Sequence, residues 1–255
     1  MQTVKDVKAR RNIEDLSDAE LLTLKKAYRT VQKIRDDRGF NHIAGFHAVP
    51  FHYCHIESPY WTFLPWHRAY TYWFEQVLKD VDPTVSLPYW DWTSASTHQT
   101  GIPKAFATRL EIDGTANPLF SSEIVTQFEN RLTKRTPLAP ALLSTSDYEV
   151  TVKRVDDLIQ TDLFDDFTQD LEDRPHGSVH VWTGGMSGDM STTNYAAFDP
   201  IFFSHHCMID RIWYLWQQKH GIKNIRADLL DRTLIPFGIK VNDLLDISSL
   251  GYTYN

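Results

Sequence analysis

Pro200-Ile201-Phe202-Phe203-Ser204-His205-His206-Cys207-Met208-Ile209-Asp210-Arg211 opens the stretch on which the reading of the fold turns. Proline suits the first turn of a helix, where its missing N–H is not needed, and Gly221 supplies a common stop. The spacing therefore predicts a helix from about Pro200 to Lys219, with a histidine pair inside it. Upstream, Pro175-His176-Gly177-Ser178-Val179-His180 opens another helix, ended by Gly184-Gly185. Residues four apart share one helix face, so His176 and His180 can reach one ion. A third strong helix runs from about Pro65 to Val81, stopped by Asp82-Pro83. It carries His67, and His47, His52 and His55 precede it.

Outward from these helices, the chain continues in the same character. Ser17-Asp18-Ala19-Glu20 has the form of a capping box, and Leu21, Leu24, Tyr28, Val31 and Ile34 follow at helical spacing. A helix is expected over roughly 18–36, and another from Asp156 to about Leu171. Residues 37–60 read as loop around a short helical piece, and 84–150 as proline-punctuated loop. The expected fold is mainly α, one domain over 1–255, with long connecting loops and little β-structure. At 42% apolar and 13% aromatic residues, the 255-residue chain can bury a sizeable core. A net charge of −7 without a Lys/Arg-rich run argues against a nucleic-acid partner. No run of eighteen apolar residues occurs, so no membrane span is expected. The amino-terminal residues lack an apolar signal region, which gives a cytoplasmic expectation. Two cysteines, Cys54 and Cys207, cannot make a disulfide scaffold.

The ligand type narrows the chemistry. Imidazole-only sets suit copper or zinc, whereas dinuclear hydrolases normally bridge their ions with carboxylates. No Asp or Glu stands beside the paired histidines in helical phase, so an all-nitrogen pocket favours a metal moving between Cu(I) and Cu(II). Any one of these signals arises by chance. His42, His98 and His220 have no partner at helical spacing and read as surface or hydrogen-bonded residues, and most of the eight tryptophans read as core.

The joint pattern resembles the type-3 dicopper superfamily of tyrosinases, catechol oxidases and haemocyanins, over nearly the whole chain. Phe63-Leu64-Pro65-Trp66-His67-Arg68, with Thr71 and Glu75, is similar to the family's copper-A signature. Asp199-Pro200-Ile201-Phe202-Phe203-Ser204-His205-His206, with Asp210-Arg211, is similar to the copper-B signature. Leu87-Pro88-Tyr89-Trp90-Asp91-Trp92, Ile43-Ala44-Gly45-Phe46-His47, Val179-His180-Val181-Trp182-Thr183-Gly184-Gly185 and Leu250-Gly251-Tyr252-Thr253-Tyr254 resemble further family segments. The resemblance, strongest to a short single-domain tyrosinase or polyphenol oxidase, implies a four-helix bundle with one helix pair per copper. It implies His47, His55 and His67 as copper-A ligands and His176, His180 and His206 as copper-B ligands. His205 then becomes a packing or supporting neighbour, and Asp210 a residue that orients a ligand imidazole. The family places the middle copper-A ligand nine residues before the third, and that position is Ser58 here. His55 stands twelve before His67 and requires the smaller loop adjustment; His52 competes with it. Cys54 directly precedes His55, so the Cys-x-His spacing of the thioether found in some relatives is not met.

What the resemblance implies about function is oxidation of o-diphenols to o-quinones by dioxygen at two copper ions. Monophenol hydroxylation and o-aminophenol oxidation are the finer variants. In relatives that hydroxylate monophenols, a Glu and an Asn beside the first copper-B histidine hold a basic water. Glu172 matches the first, but Gly177 replaces the second, which counts against strong monophenolase activity. As an alternative, Glu172 is an ordinary acid of a helix start. Thr193 falls where relatives place a gate over copper A. A haemocyanin-like reversible dioxygen carrier is the runner-up reading and a zinc hydrolase the third. The chain ends at the core boundary, with no covering domain expected after it, which favours the oxidase. The expected partner is a small phenol, with a copper-loading or export helper left open.

Overall fold

The computed structural model describes residues 7–56 and 60–255, with residues 55, 56 and 60 described in backbone alone. Ser17 starts the first helix as the sequence predicts. Its hydroxyl accepts from the Glu20 amide at 3.3 Å, and the Glu20 carboxylate accepts from the Ser17 amide at 2.8 Å. The elements follow in order: α1 (Asp18–Val31), α2 (Phe40–Ala44), α3 (Tyr53–Ile56), α4 (Phe63–Val81), α5 (Ala95–Thr100), α6 (Lys104–Ala107), α7 (Val152–Ile159), α8 (Phe164–Leu171), α9 (Gly177–Gly184), α10 (Ile201–His220) and α11 (Ala227–Leu230). Long loops join them, and strand pairing is brief.

Helices α4 and α10 pack side by side at the centre, with α1 against α4 and α7 against α10. The seam is aromatic. Phe74 of α4 stacks on Phe203 of α10 with ring centroids 4.0 Å apart, and Tyr28 of α1 meets Phe74 edge-on at 5.3 Å. All four tryptophans at 90, 92, 213 and 216 are fully buried, whereas Trp73 is 40% exposed. The mainly helical expectation is met, and so is the helical core.

Two boundaries differ from the sequence reading. The first helix ends at Val31 rather than near 36. The single helix expected over 156–171 is two, α7 and α8, broken at 160–163. The break releases carbonyls that α10 uses: Trp216 Nε1 donates to Thr161 O at 2.7 Å, and His220 Nε2 donates to Ile159 O at 2.8 Å. Tertiary bonds to indole and imidazole replace the helical bonds that continuation would have made. Phe167 then stacks on Trp216, centroids 5.1 Å apart.

The first and last described strands meet. Strand β1 (Lys8–Arg10) and the final strand, β6 (Tyr252–Tyr254), pair in parallel with Arg10 opposite Tyr254. Two small antiparallel ladders, β2 (Glu123–Val125) with β3 (Asn130–Leu132) and β4 (Thr233–Leu234) with β5 (Ile239–Lys240), lie in the loops. Among the described residues, no helix is long and apolar enough to cross a membrane.

Candidate metal centre

The histidines come from turns and helix segments that would otherwise be far apart. His176 closes the turn after α8 and His180 lies one helical turn later, on α9. His205 and His206 lie in the second turn of α10, His67 in the first or second turn of α4, and His47 in the loop after α2. His47, His67, His205 and His206 are at most 6% exposed. The ring nitrogens of His176, His180, His205 and His206 form one group and the donors of His47, Cys54 and His67 another; within each, the ligand atoms lie within 4.8 Å of one another. The groups share a wall, because the rings of His67 and His206 stack with centroids 4.1 Å apart and planes 7° apart.

Backbone carbonyls set the tautomers. His67 Nδ1 stands 2.9 Å from Phe63 O, His176 Nδ1 2.9 Å from Glu172 O, His180 Nδ1 2.9 Å from Met190 O and His47 Nδ1 3.1 Å from Thr193 O. A carbonyl can only accept, so each Nδ1 carries the proton and each Nε2 presents its lone pair. Fixing the outer nitrogen in this way orients an imidazole for metal binding. Burial also keeps His180, His205 and His206 neutral. It lowers His180 to about 4, and it lowers His205 and His206 well below the usual imidazole value, with the neighbouring histidines adding to the effect.

The arrangement fits a bound cation. His180 Nε2 and His206 Nε2 are 3.4 Å apart in a buried centre. With its proton on Nδ1, His180 offers a lone pair toward His206, and the His206 Nε2 in its Nδ1-protonated tautomer would turn a second lone pair to a shared metal ion. Both nitrogens of the fully buried His205, and Nδ1 of His206, have no hydrogen-bond partner among the described residues. Orphaned buried imidazole nitrogens need a reason, and a metal centre is one.

A cavity of about 200 Å³ lies over the histidines, lined also by Phe63, Glu172, Gly177, Val181, Met190 and Thr193. Val181 is 47% exposed, so the cavity reaches solvent. Phe63 forms a wall, its ring 4.6 Å from that of His176. Burial, with Asp173 adding to it, raises the Glu172 carboxyl to about 7. Glu172, Gly177 and Thr193 thus all stand at the site that the sequence motifs pointed to.

Other residues behave differently from the sequence reading. Asp210 does not orient an imidazole. Its carboxylate accepts from Arg68 Nε at 2.5 Å, Tyr252 Oη at 2.7 Å, Tyr254 Oη at 2.6 Å and Arg10 Nη1 at 3.4 Å. Two buried cations brought by β1 and α4 outcompete a neutral ring for that charge. Burial alone pushes Asp210 up, but Arg68 and Arg10 more than offset it and hold the carboxyl below its usual range. His205, expected as a packing or supporting neighbour, lies in one donor group with His176, His180 and His206, its ring stacked on that of His176 with centroids 5.3 Å apart. The His55 side chain lies outside the described residues, and its competitor His52 belongs to neither donor group. Cys54, read in the sequence only against a thioether pattern, is 4% exposed and falls, among the described residues, in one donor group with His47 and His67. Its four-residue helix is too short for periodicity to have shown this. His98 bonds to Ser144 Oγ at 2.9 Å and His220 to Ile159 O, so both are hydrogen-bonded residues away from the centre.

Comparison with known proteins agrees with this geometry. The model for the common central domain of tyrosinase matches residues 37–219. The A-type haemocyanin, units Ode to Odg, of Enteroctopus dofleini is 32% identical over 92% of this chain, which spans 21% of that protein. The chloroplastic (+)-larreatricin hydroxylase of Larrea tridentata is 28% identical over 76% of this chain and 38% of its own length. Among solved structures, a functional unit of octopus haemocyanin superposes with a TM-score of 0.80 at 28% identity, covering 98% of this chain and 68% of its own. The tyrosinase of Burkholderia thailandensis has the same TM-score at 24% identity, covering 98% and 73%, and bears on the fold alone. The chain therefore spans well under half the length of these two curated relatives. It belongs to the tyrosinase family of type-3 copper proteins, whose members bind two copper ions and meet dioxygen as co-substrate or ligand.

Proposed function

We propose that the chain is an oxidase of small phenols, converting o-diphenols to o-quinones with dioxygen. His176, His180 and His206 hold copper B. His47, His67 and a third donor from the Tyr53–Ile56 turn hold copper A, for which the family pattern nominates His55. The observation that carries the reading is the open cavity of about 200 Å³ whose floor is the two donor groups. A cavity of roughly 150 Å³ is enough for benzene, so one phenol ring fits.

Copper, when bound, supplies the one-electron steps and the place where dioxygen is reduced. The protein's own residues do the rest. Carbonyls of Phe63, Glu172, Met190 and Thr193 hold four imidazoles in one tautomer, so little reorganisation accompanies a change of metal charge. Phe63 packs beside the incoming ring. Glu172 stands at the cavity wall to receive the hydroxyl proton. Two catechols give up four electrons and four protons, and one dioxygen takes them to become two waters. Hydroxylating a monophenol also needs early proton removal near copper A. Gly177 offers no side chain to hold a water beside Glu172, so tyrosine is the poorer substrate.

A second reading is a reversible dioxygen carrier, favoured by the 32% identity to an octopod haemocyanin. Oxygen-electrode measurements on the copper-loaded chain separate the two. Sustained uptake with catechol and release of quinone supports the oxidase. Reversible uptake of one dioxygen per copper pair, without quinone, assigns the carrier.

A further inference from the structure

The cavity over the histidines has a neighbour. Gly177 and Val181, which wall it, also wall a second, open cavity of about 460 Å³ completed by Asp147, Tyr148, Asp173 and Ser178. Residues 177 and 181 are four apart and share one face of α9, so the two cavities meet along that face. Val181 is 47% exposed and gives the passage an apolar floor. Gly177 brings no side chain to obstruct it, and the space where a Cβ would stand is open apart from Glu172 O at 3.5 Å.

The second cavity is acidic, and its acids are uncommitted. Asp147 and Asp173 have no ion-pair partner among the described residues, whereas the cations near them are engaged elsewhere. Arg154 faces Glu149 at 3.6 Å and Asp170 at 3.8 Å, and Arg174 Nη1 donates to Ser146 O at 2.6 Å. Four carboxylates against two guanidiniums leave this edge negative. The turn carrying Asp147 and Tyr148 is fixed at its far side, where the amides of Glu149 and Val150 donate to Thr145 O and Leu143 O at 2.8 Å each.

We propose that this second cavity is a subsite for the tail of the phenol, and that it selects catechols whose side chain ends in a protonated amine. The proposal rests on the oxidase reading above and names its substrate class. With the ring in the inner cavity, the methylenes of the tail cross Val181 and the ammonium reaches Asp147 and Asp173. Tyr148, in the same wall, adds an aromatic ring, and such rings attract cations. A tail ending in a carboxylate meets like charge on the same path.

The test is steady-state oxidation by the copper-loaded chain of three catechols of similar size: dopamine, neutral 4-methylcatechol and anionic 3,4-dihydroxyphenylacetate. The expected order of kcat/KM is cation, neutral, anion, with the difference carried by KM. Ammonium–carboxylate contacts at a solvent-facing edge are weak and screened, so dopamine should lead 4-methylcatechol by roughly three- to tenfold at low salt and by less at high salt. The double variant Asp147→Asn/Asp173→Asn changes two exposed side chains with little change of shape. It should lose the lead of dopamine and keep the rate with 4-methylcatechol. In the metal-free chain, phenethylamine should shift the amide resonances of Tyr148 and Val181 more than 3-phenylpropionate does, and the double variant should lose that difference. Equal rates or equal shifts for cation and anion, or a preference that survives in the double variant, overturn the proposal and leave the oxidase reading standing. Absence of quinone from all three catechols overturns both.

Discussion

Replacing Asp210 with alanine should destabilise the fold severely while leaving the copper-B ligands in place. The carboxylate serves Arg68, Tyr252, Tyr254 and Arg10 at 2.5, 2.7, 2.6 and 3.4 Å. Both arginines have no solvent exposure. After the change, Arg10 keeps the Glu75 carboxylate at 2.8 Å, but Arg68 keeps only neutral acceptors, Gln217 Oε1 at 2.8 Å and Leu244 O at 3.1 Å. Stacking of the Arg68 guanidinium 3.6 Å from the Trp213 ring centroid offsets a little of this. Breaking a buried ion pair by removing one partner costs about 3–5 kcal/mol, because a charge is left uncompensated. At about 2–4 °C per kcal/mol for a chain of this size, the melting temperature should fall by roughly 6–20 °C. Asp210→Asn, which keeps acceptor atoms but not charge, should fall between wild type and alanine. The assay is thermal and urea denaturation of the metal-free chain, paired with copper titration below the transition. A loss of less than about 1 kcal/mol refutes the argument. So does a variant of full stability that fails to hold copper B, since that outcome would restore Asp210 as an imidazole-orienting residue.

Further outcomes follow from the same geometry. His206→Ala should lower copper content from two to one per chain, and His205→Ala should leave two, as read by elemental analysis; the reverse pattern would reassign the third copper-B ligand. Gly177→Asn should fold without strain, because the backbone there is helical at φ −58°, ψ −37° and an added Cβ meets only Glu172 O at 3.5 Å. It should raise the ratio of tyrosine to catechol turnover, and an unchanged ratio removes residue 177 from control of hydroxylation. In the metal-free chain, Glu172 titrates near 7 when folded and near the usual carboxyl value when unfolded. Between those values the folded state binds the extra proton, so stability falls as pH rises from about 4.5 to 7. Glu172→Gln should abolish that part of the slope, and melting curves that stay parallel over that range would show that Glu172 is not held protonated.

How much of this was legible in sequence depends on whether the signal was local. His176 and His180 were legible because a four-residue interval means one helix face whatever surrounds it. Helices α4 and α10 were legible to within two residues because Asp82-Pro83 and Gly221 end them by backbone chemistry. The interval between His206 and Asp210 is also four, and there the same rule misled. Spacing puts two residues on one side of a helix but does not say which distant group claims the charge. Arg68 and Arg10 claim it, and neither is near Asp210 in sequence. The break between α7 and α8 was hidden for a similar reason, since it depends on Trp216 and His220 taking carbonyls across the bundle. His47 and Cys54 sit in a turn and a four-residue helix, where no period exists to read.

The Asp210 network also explains why a centre assembled from such distant pieces can be rigid. Arg68 directly follows the proposed ligand His67 on α4, and Asp210 lies one turn beyond the proposed ligand His206 on α10. Their 2.5 Å ion pair therefore ties α4 to α10 close to the point where the imidazoles of His67 and His206 stack at 4.1 Å. Arg10, placed by the pairing of β1 with β6, adds these two strands to the same knot, and Tyr252 and Tyr254 complete it from β6. A charged cluster in a dry interior stabilises weakly compared with apolar packing, but its geometry tolerates little displacement. The Arg68–Asp210 pair therefore fixes the spacing of α4 and α10 directly beneath the stacked rings of His67 and His206.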